Sequence, residues 1–271
     1  MSRIIKIELE RAFRSKGLLL SLLVGFCIAI VHFILRVIPA RNAGILSGFT
    51  AGITSYPTSV FNYFMMADSL SPYGTLFLNI FPILATIPFA VSYHEDRKGF
   101  VKSLYIRCEK WKYLTAKYIA VFLSGGTAVV LPILLNLILT ACMLPSLVPV
   151  PNSRFIGGGD AFMKDIFYSQ PYLYMLIYLI ICFIYGGIFA SLGLACTTFF
   201  DYAFFIIIFP FGIYYGLKLF SQALKIQIAP ADLLYMCRSG VTGTIILAEA
   251  LIIGVTAAAF FMWRGIKNDI F

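Results

Sequence analysis

Six long apolar runs separated by short polar segments dominate this chain, at about 18–35, 73–92, 118–142, 172–198, 203–220 and 241–263. A helix rises about 1.5 Å per residue. The hydrocarbon core of a bilayer is about 30 Å thick, so one crossing needs about 20 apolar residues. Each run therefore predicts a transmembrane helix; the first and fifth are short, and the fourth is long enough to tilt. Pro82, Pro88, Pro132 and Pro210 fall inside the runs. Membrane helices tolerate such prolines because neighbouring groups take up the freed carbonyls. Between the runs the pattern changes. Residues 2–16 place Ile5, Leu9, Ala12 and Phe13 on one helical face, with charges on most of the rest. That predicts an amphipathic helix lying along the membrane surface. Segments 36–72 and 143–171 carry the Gly, Ser and Pro signals of loops. Segment 221–240 is moderately apolar but too short to cross twice, and reads as a short helix dipping back into the outer leaflet.

Composition sharpens this picture. Of 271 residues, 61% are hydrophobic and 12% charged, where an ordinary soluble domain has about 25% charged. A soluble fold of this size has no interior for that surplus, so the surplus faces lipid. No polar linker divides the chain, which predicts one all-α membrane domain over residues 1–271 with six transmembrane helices. The net charge of +9 sits in short clusters between the runs, a pattern that speaks for anionic lipid headgroups and against nucleic acid. Arg3, Lys6, Arg11, Arg14 and Lys16 precede the first run, seven Lys and Arg lie between 93 and 117, and Arg264 and Lys267 follow the last. The other side keeps Arg36, Arg41, Arg154, Lys164, Lys218, Lys225 and Arg238. This two-to-one bias predicts that both termini face the cytoplasm. The first run is longer than a signal core, follows Glu8 and Glu10, and has no small-residue cleavage site after it, so it reads as an uncleaved span. The six cysteines form no CxxC pair, which implies neither a metal site nor a disulfide framework.

Candidate chemistry is sparse. There is no GxxxxGK[ST] phosphate loop, so the chain has no evident means of binding ATP by itself. Leu123-Ser124-Gly125-Gly126 copies the start of an ABC ATPase signature but lies inside the third run, where small residues favour close helix packing. His32 and His94 belong to no HExxH, and no GxSxG elbow is present. Small residues recur four apart at Gly187, Ser191 and Ala195, at Gly212 and Gly216, and at Ala250, Gly254 and Ala258, predicting close helix approach. Glu249 is an acid well inside the sixth run, where insertion costs about 2.5–3.5 kcal/mol. It is a candidate for a substrate path or for a packing group, and Asn136 and Asn79 are weaker candidates for the same path.

The most distinctive segment follows the second run. It reads Ser92-Tyr93-His94-Glu95-Asp96-Arg97-Lys98-Gly99-Phe100 and continues to Lys117-Tyr118, with Phe100, Val101, Leu104, Tyr105 and Cys108 on one helical face. Positive-inside topology explains its charge but not its apolar stripe. An acid with Gly four residues on (Glu95, Gly99), an amphipathic helix through Leu104 and the pair Lys117-Tyr118 resemble the first cytoplasmic loop of type-2 ABC exporter permeases. Ala229-Pro230-Ala231-Asp232-Leu233-Leu234-Tyr235 resembles that family's Pro-containing segment before the last span, and the leader resembles its connecting helix. The sequence departs from the family at Tyr105-Ile106-Arg107-Cys108, where Pro and Ser are common.

The resemblance implies a permease subunit in the cell membrane of a bacterium, paired with a second permease copy or a paralogue. It also implies separate ATPase subunits that carry ATP and Mg, this chain binding no cofactor. A coupling helix over about 95–108, with Glu95, Asp96, Gly99, Phe100 and Leu104, would meet the ATPase, and the turn around Asp201 would be a second contact. The path would run between the two copies along spans two and five, with 221–240 as an external gate. The cargo would be an amphipathic or hydrophobic compound such as a peptide. Two other classes stay open: a receptor or accessory subunit that transports nothing, and a secondary carrier, in which an intramembrane acid such as Glu249 would be essential.

Overall fold

Long apolar runs with few interior polar residues satisfy their backbone only as helices in lipid, and helices are what they form. A computed structural model describes residues 1–46, 58–68, 71–99, 108–149, 162–226, 228–236 and 241–267, and among these there is no strand. Five helices are long and apolar enough to cross a membrane: Lys16–Asn42, Lys110–Met143, Pro171–Cys196, Ala203–Leu224 and Gly243–Lys267. They give the chain the character of a multi-pass membrane protein.

The leader is helix α1 (Ser2–Phe13). Helix α2 (Lys16–His32) continues through a π-helical turn, Phe33–Val37, into α3 (Ile38–Leu46). The first apolar run ends at 35, yet the helix does not. Arg36 is paired with Asp68, its Nε and Nη2 donating to the carboxylate at 2.9 and 3.1 Å, and helix continues past it. A short helix α4 (Val60–Tyr63) precedes α5 (Pro72–Thr86).

Helix α5 has 15 residues, shorter than the run at 73–92 that announces it. Pro88 has no N–H to offer the Leu84 carbonyl. Ser21 of α2 donates to that carbonyl instead, at 2.6 Å, and Ser15 donates to the Pro88 carbonyl at 2.8 Å. The chain turns through 87–91 and enters α6 (Ser92–Gly99).

Helix α7 (Lys110–Met143) is the central element, 34 residues long, packing against α1, α2, α5, α9 (Pro171–Cys196) and α12 (Gly243–Lys267). Its tightest neighbour is α9. A Cβ on Gly125 would stand 2.3 Å from Ala190 Cβ and 2.8 Å from the Ala85 carbonyl oxygen, a separation no side chain accommodates. The Leu123–Gly126 stretch therefore serves packing, as its place inside a span predicted. Helix α8 (Lys164–Ser169) leads into α9, and α10 (Ala203–Leu224) and α11 (Pro230–Leu233) complete the set.

Two large hydrophobic clusters and a small one of Val37, Val60 and Leu144 fill the bundle among the described residues. The largest holds Phe77, Phe81, Tyr185, Phe189 and Tyr214; the second holds Ala12, Phe89, Tyr93, Tyr113, Leu114 and Phe261 at the end where α1 sits. By contrast Phe204, Leu219 and Phe220 of α10 and Leu247, Leu251 and Ile252 of α12 point outward. Apolar faces of that extent suit lipid or another helix, not water. Gly212 and Gly216 lie on α10 with nothing within 4 Å of where a Cβ would be.

Candidate functional site

At the α1 end, five side chains from three segments build a buried ion cluster. Glu8 shares the helical face of Ile5, Leu9 and Ala12, and when that face docks on α7, Glu8 and Ala12 are buried with it. Ile7 and Phe13, off that contact, are about half exposed, at 52% and 47%. The leader is therefore anchored by a polar residue in its apolar stripe.

Lys117, eight positions into α7 and fully buried, places its Nζ 3.0 Å from Glu8 Oε2 and 2.6 Å from Asp96 Oδ2. The same ammonium lies 4.3 Å from the centre of the Phe89 ring, a favourable cation–π placement. Arg11 donates Nη1 to Glu8 Oε1 at 2.8 Å and Nη2 to Asp96 Oδ1 at 2.7 Å. The Tyr113 hydroxyl donates to Asp96 Oδ2 at 2.7 Å. Two carboxylates and two cations cancel. Burial alone would raise the Asp96 pKa, but the hydrogen bond from Arg11 and the attraction and hydrogen bond of Lys117 outweigh it and hold the carboxyl below its usual range. Buried ion pairs repay their desolvation only with such complete partnering.

Helix α6 reaches further elements. Arg97 donates Nη1 to the Thr197 carbonyl at 3.1 Å, in the turn between α9 and α10. Phe199 of that turn stacks on Phe260 of α12, centroids 4.8 Å apart, and Arg264 lies 4.8 Å from the Phe199 ring. One short helix is thereby joined to α1, α7 and the α9–α10 turn, and through that turn to α12.

The residues singled out as coupling candidates are distributed over this assembly. Glu95 is exposed, and so is Gly99, where a Cβ would meet nothing within 4 Å. Asp96 is buried and committed to Arg11, Lys117 and Tyr113. Asp201 is exposed in the α9–α10 turn. Phe100 and Leu104 lie outside the described residues.

The three path candidates each have separate partners. Asn136, fully buried on α7, donates Nδ2 to the Ala29 carbonyl and to His32 Nδ1, both at 3.0 Å, and accepts the Met65 N–H on Oδ1 at 3.0 Å. Its amide orientation fixes the His32 tautomer: Nδ1 accepts, so the hydrogen is on Nε2, which faces Asp68 Oδ2 at 3.7 Å. Burial pulls the Asp68 pKa up, but the His32 and Arg36 contacts more than reverse it. Asn136 thus clamps α2, α7 and the 58–68 segment. Asn79 of α5 accepts from Lys218 Nζ of α10 at 3.2 Å. Glu249 of α12 accepts from the Tyr185 hydroxyl at 3.1 Å and borders an apolar cavity of about 350 Å³ with Leu217, Phe220, Ile245 and Ile252.

The segment after α10 is tucked into the end of the bundle away from α1. Ala229, Asp232 and Leu234 are buried. Tyr174 and Tyr178 of α9 donate to the Met236 and Leu234 carbonyls at 3.0 and 2.8 Å, Ser221 donates to Asp232 Oδ2 at 3.0 Å, and the Thr75 and Tyr235 hydroxyls are hydrogen-bonded.

Sequence reasoning placed Lys117 at the opening of a span and passed over Glu8, Arg11 and Asp68. The available signal was Glu8 itself, an acid three residues after Ile5 and four before Ala12 on the apolar stripe. No family model, curated protein or solved structure matches this chain.

Proposed function

We propose that this chain is the membrane-embedded permease subunit of an ATP-driven exporter. The observation that carries the reading is α6: a short polar helix locked by buried charge to α1 and α7 and by Arg97 to the α9–α10 turn, with Glu95 and Gly99 turned outward. A load applied to its free side is shared among span ends instead of being absorbed by a loose loop. The positive-inside bias puts that end, both termini and α6 in the cytoplasm. The chain then crosses six times, α5 and the 87–91 turn making the second crossing.

The ATPase is a separate chain that carries ATP and Mg. It meets the free side of α6, the residues that follow through Leu104, and the turn at Asp201. A second copy or a paralogue packs on the outward face of α10, where Gly212 and Gly216 stand open to a neighbouring helix. The cargo is an amphipathic or hydrophobic compound crossing the plasma membrane. Purification of the tagged chain from native membranes tests this reading. The expected result is recovery of a partner bearing a GxxxxGK[ST] loop, with ATP hydrolysis that is uncoupled by Glu95→Ala and Gly99→Pro. Recovery of no ATPase, or full coupling in both variants, refutes it.

A further inference from the structure

Beside the ion cluster, the α1–α2 elbow and the α5–α6 turn enclose a cavity of about 470 Å³, walled by Arg11, Ser15, Lys16, Phe89, Val91 and Glu95 among others. That volume is in the range of about 300–1,000 Å³ typical of small-molecule sites. Its polar groups are of two kinds. Lys16 and Glu95 are exposed, and neither has an ionic or hydrogen-bond partner among the described residues. A cation is thus open to phosphate oxygens, and one carboxylate is open to an ammonium.

A second feature adjoins the first. Phe13, Leu18, Leu19, Leu22, Leu23 and Phe26 line a mostly apolar groove of about 340 Å³ along α2, with Arg14 at its mouth, and Ser15 lines both groove and cavity. A zwitterionic cavity that opens onto an apolar groove, where the chain enters the membrane, has the chemistry of a lipid headgroup followed by its acyl chain.

We propose that the elbow binds an aminophospholipid, with phosphate toward Lys16, the primary ammonium toward Glu95, and an acyl chain along α2. A phosphate without an amine, free or on an anionic lipid, faces Glu95 with like charge. A choline head carries the charge but no N–H to donate to that carboxylate. The inference rests on the membrane placement of the α1 end given above and not on an ATPase. It makes the floor under α6 sensitive to lipid composition.

Native mass spectrometry of the delipidated full chain, titrated with phosphatidylethanolamine, phosphatidylcholine or phosphatidylglycerol of matched acyl chains, tests it without any ATPase, so a null result here leaves the permease reading standing. Phosphatidylethanolamine is expected to bind about tenfold tighter than the other two, the scale of one charge-assisted hydrogen bond. Glu95→Gln removes that preference while phosphatidylglycerol binding holds or rises, Lys16→Ala weakens all three lipids, and thermal unfolding in the same detergent confirms that both variants fold. Equal binding of the three lipids to the native chain, or a preference that survives Glu95→Gln, overturns the proposal. Glycerophosphoethanolamine is expected to compete poorly; if it displaces the lipid at equal concentration, the ligand is soluble and the lipid assignment is wrong.

Discussion

Glu95 and Asp96 are neighbours on one helix and live in opposite worlds. Asp96 points inward, where Arg11, Lys117 and Tyr113 use both of its oxygens. Glu95 points outward over a cavity and, among the described residues, has no partner. The same contrast divides the cations: Lys117 is fully buried between two carboxylates, whereas Lys16 is exposed and, among the described residues, unpaired. A charge with a full set of partners is a joint that holds segments together. A charge left open at a membrane boundary is an address for another molecule. Helix α6 carries one of each, which lets it be fixed to the bundle on one side and offered to partners on the other.

The contrast breaks most sharply at Lys117. Lys117→Met leaves Glu8 and Asp96 with Arg11 as their one cation, a net negative charge inside the cluster, and is expected to cost about 3–5 kcal/mol, read as a large drop in thermal unfolding temperature in detergent. Adding Glu8→Gln removes the excess negative charge while Arg11 still pairs with Asp96, and recovery of much of the loss shows that charge and not side-chain volume was responsible. Asn136→Leu, at the opposite end, orphans the Met65 N–H and His32 Nδ1, an expected loss of about 1–3 kcal/mol in the same assay. Acid comes next. Asp96 and Asp68 titrate below the usual carboxylate value of about 3.9, so their contribution is complete above about pH 4 and is lost as pH falls through their folded values. Stability should show no loss from these two groups between pH 7 and 5, and Asp96→Asn should lower the plateau while making the acid limb shallower. Smallest of all is Lys16→Gln, which removes an exposed charge and should shift stability by less than about 0.5 kcal/mol.

How much of this could be read in the sequence follows from the same distinction. Apolar runs predicted where helices lie, because lipid-facing surface needs no partner to be legible. Their ends were misplaced where a charge is answered from far away. Arg36 seemed to end a span, but Asp68 neutralises it across 32 positions. The 73–92 run conceals a helix end, because the effect of Pro88 depends on Ser21 reaching the Leu84 carbonyl across 63 positions. Nothing local separates Glu95 from Asp96, since Arg11, which marks the inward acid, is 85 residues away. A polar group in a span such as Asn136 has two uses, and its clamp on Ala29, His32 and Met65 is legible only from their positions in space.

The most direct test of the account uses the free side of α6. A Cβ at Gly99 meets nothing within 4 Å among the described residues, so Gly99→Trp is expected to fold while placing a bulky ring where an ATPase would dock. The measurement is the amount of ATPase subunit recovered with the tagged chain from native membranes, variant against native, at matched thermal stability. The account predicts that the native chain retains the ATPase and the variant loses most of it. Equal retention by a stably folded Gly99→Trp chain would contradict it.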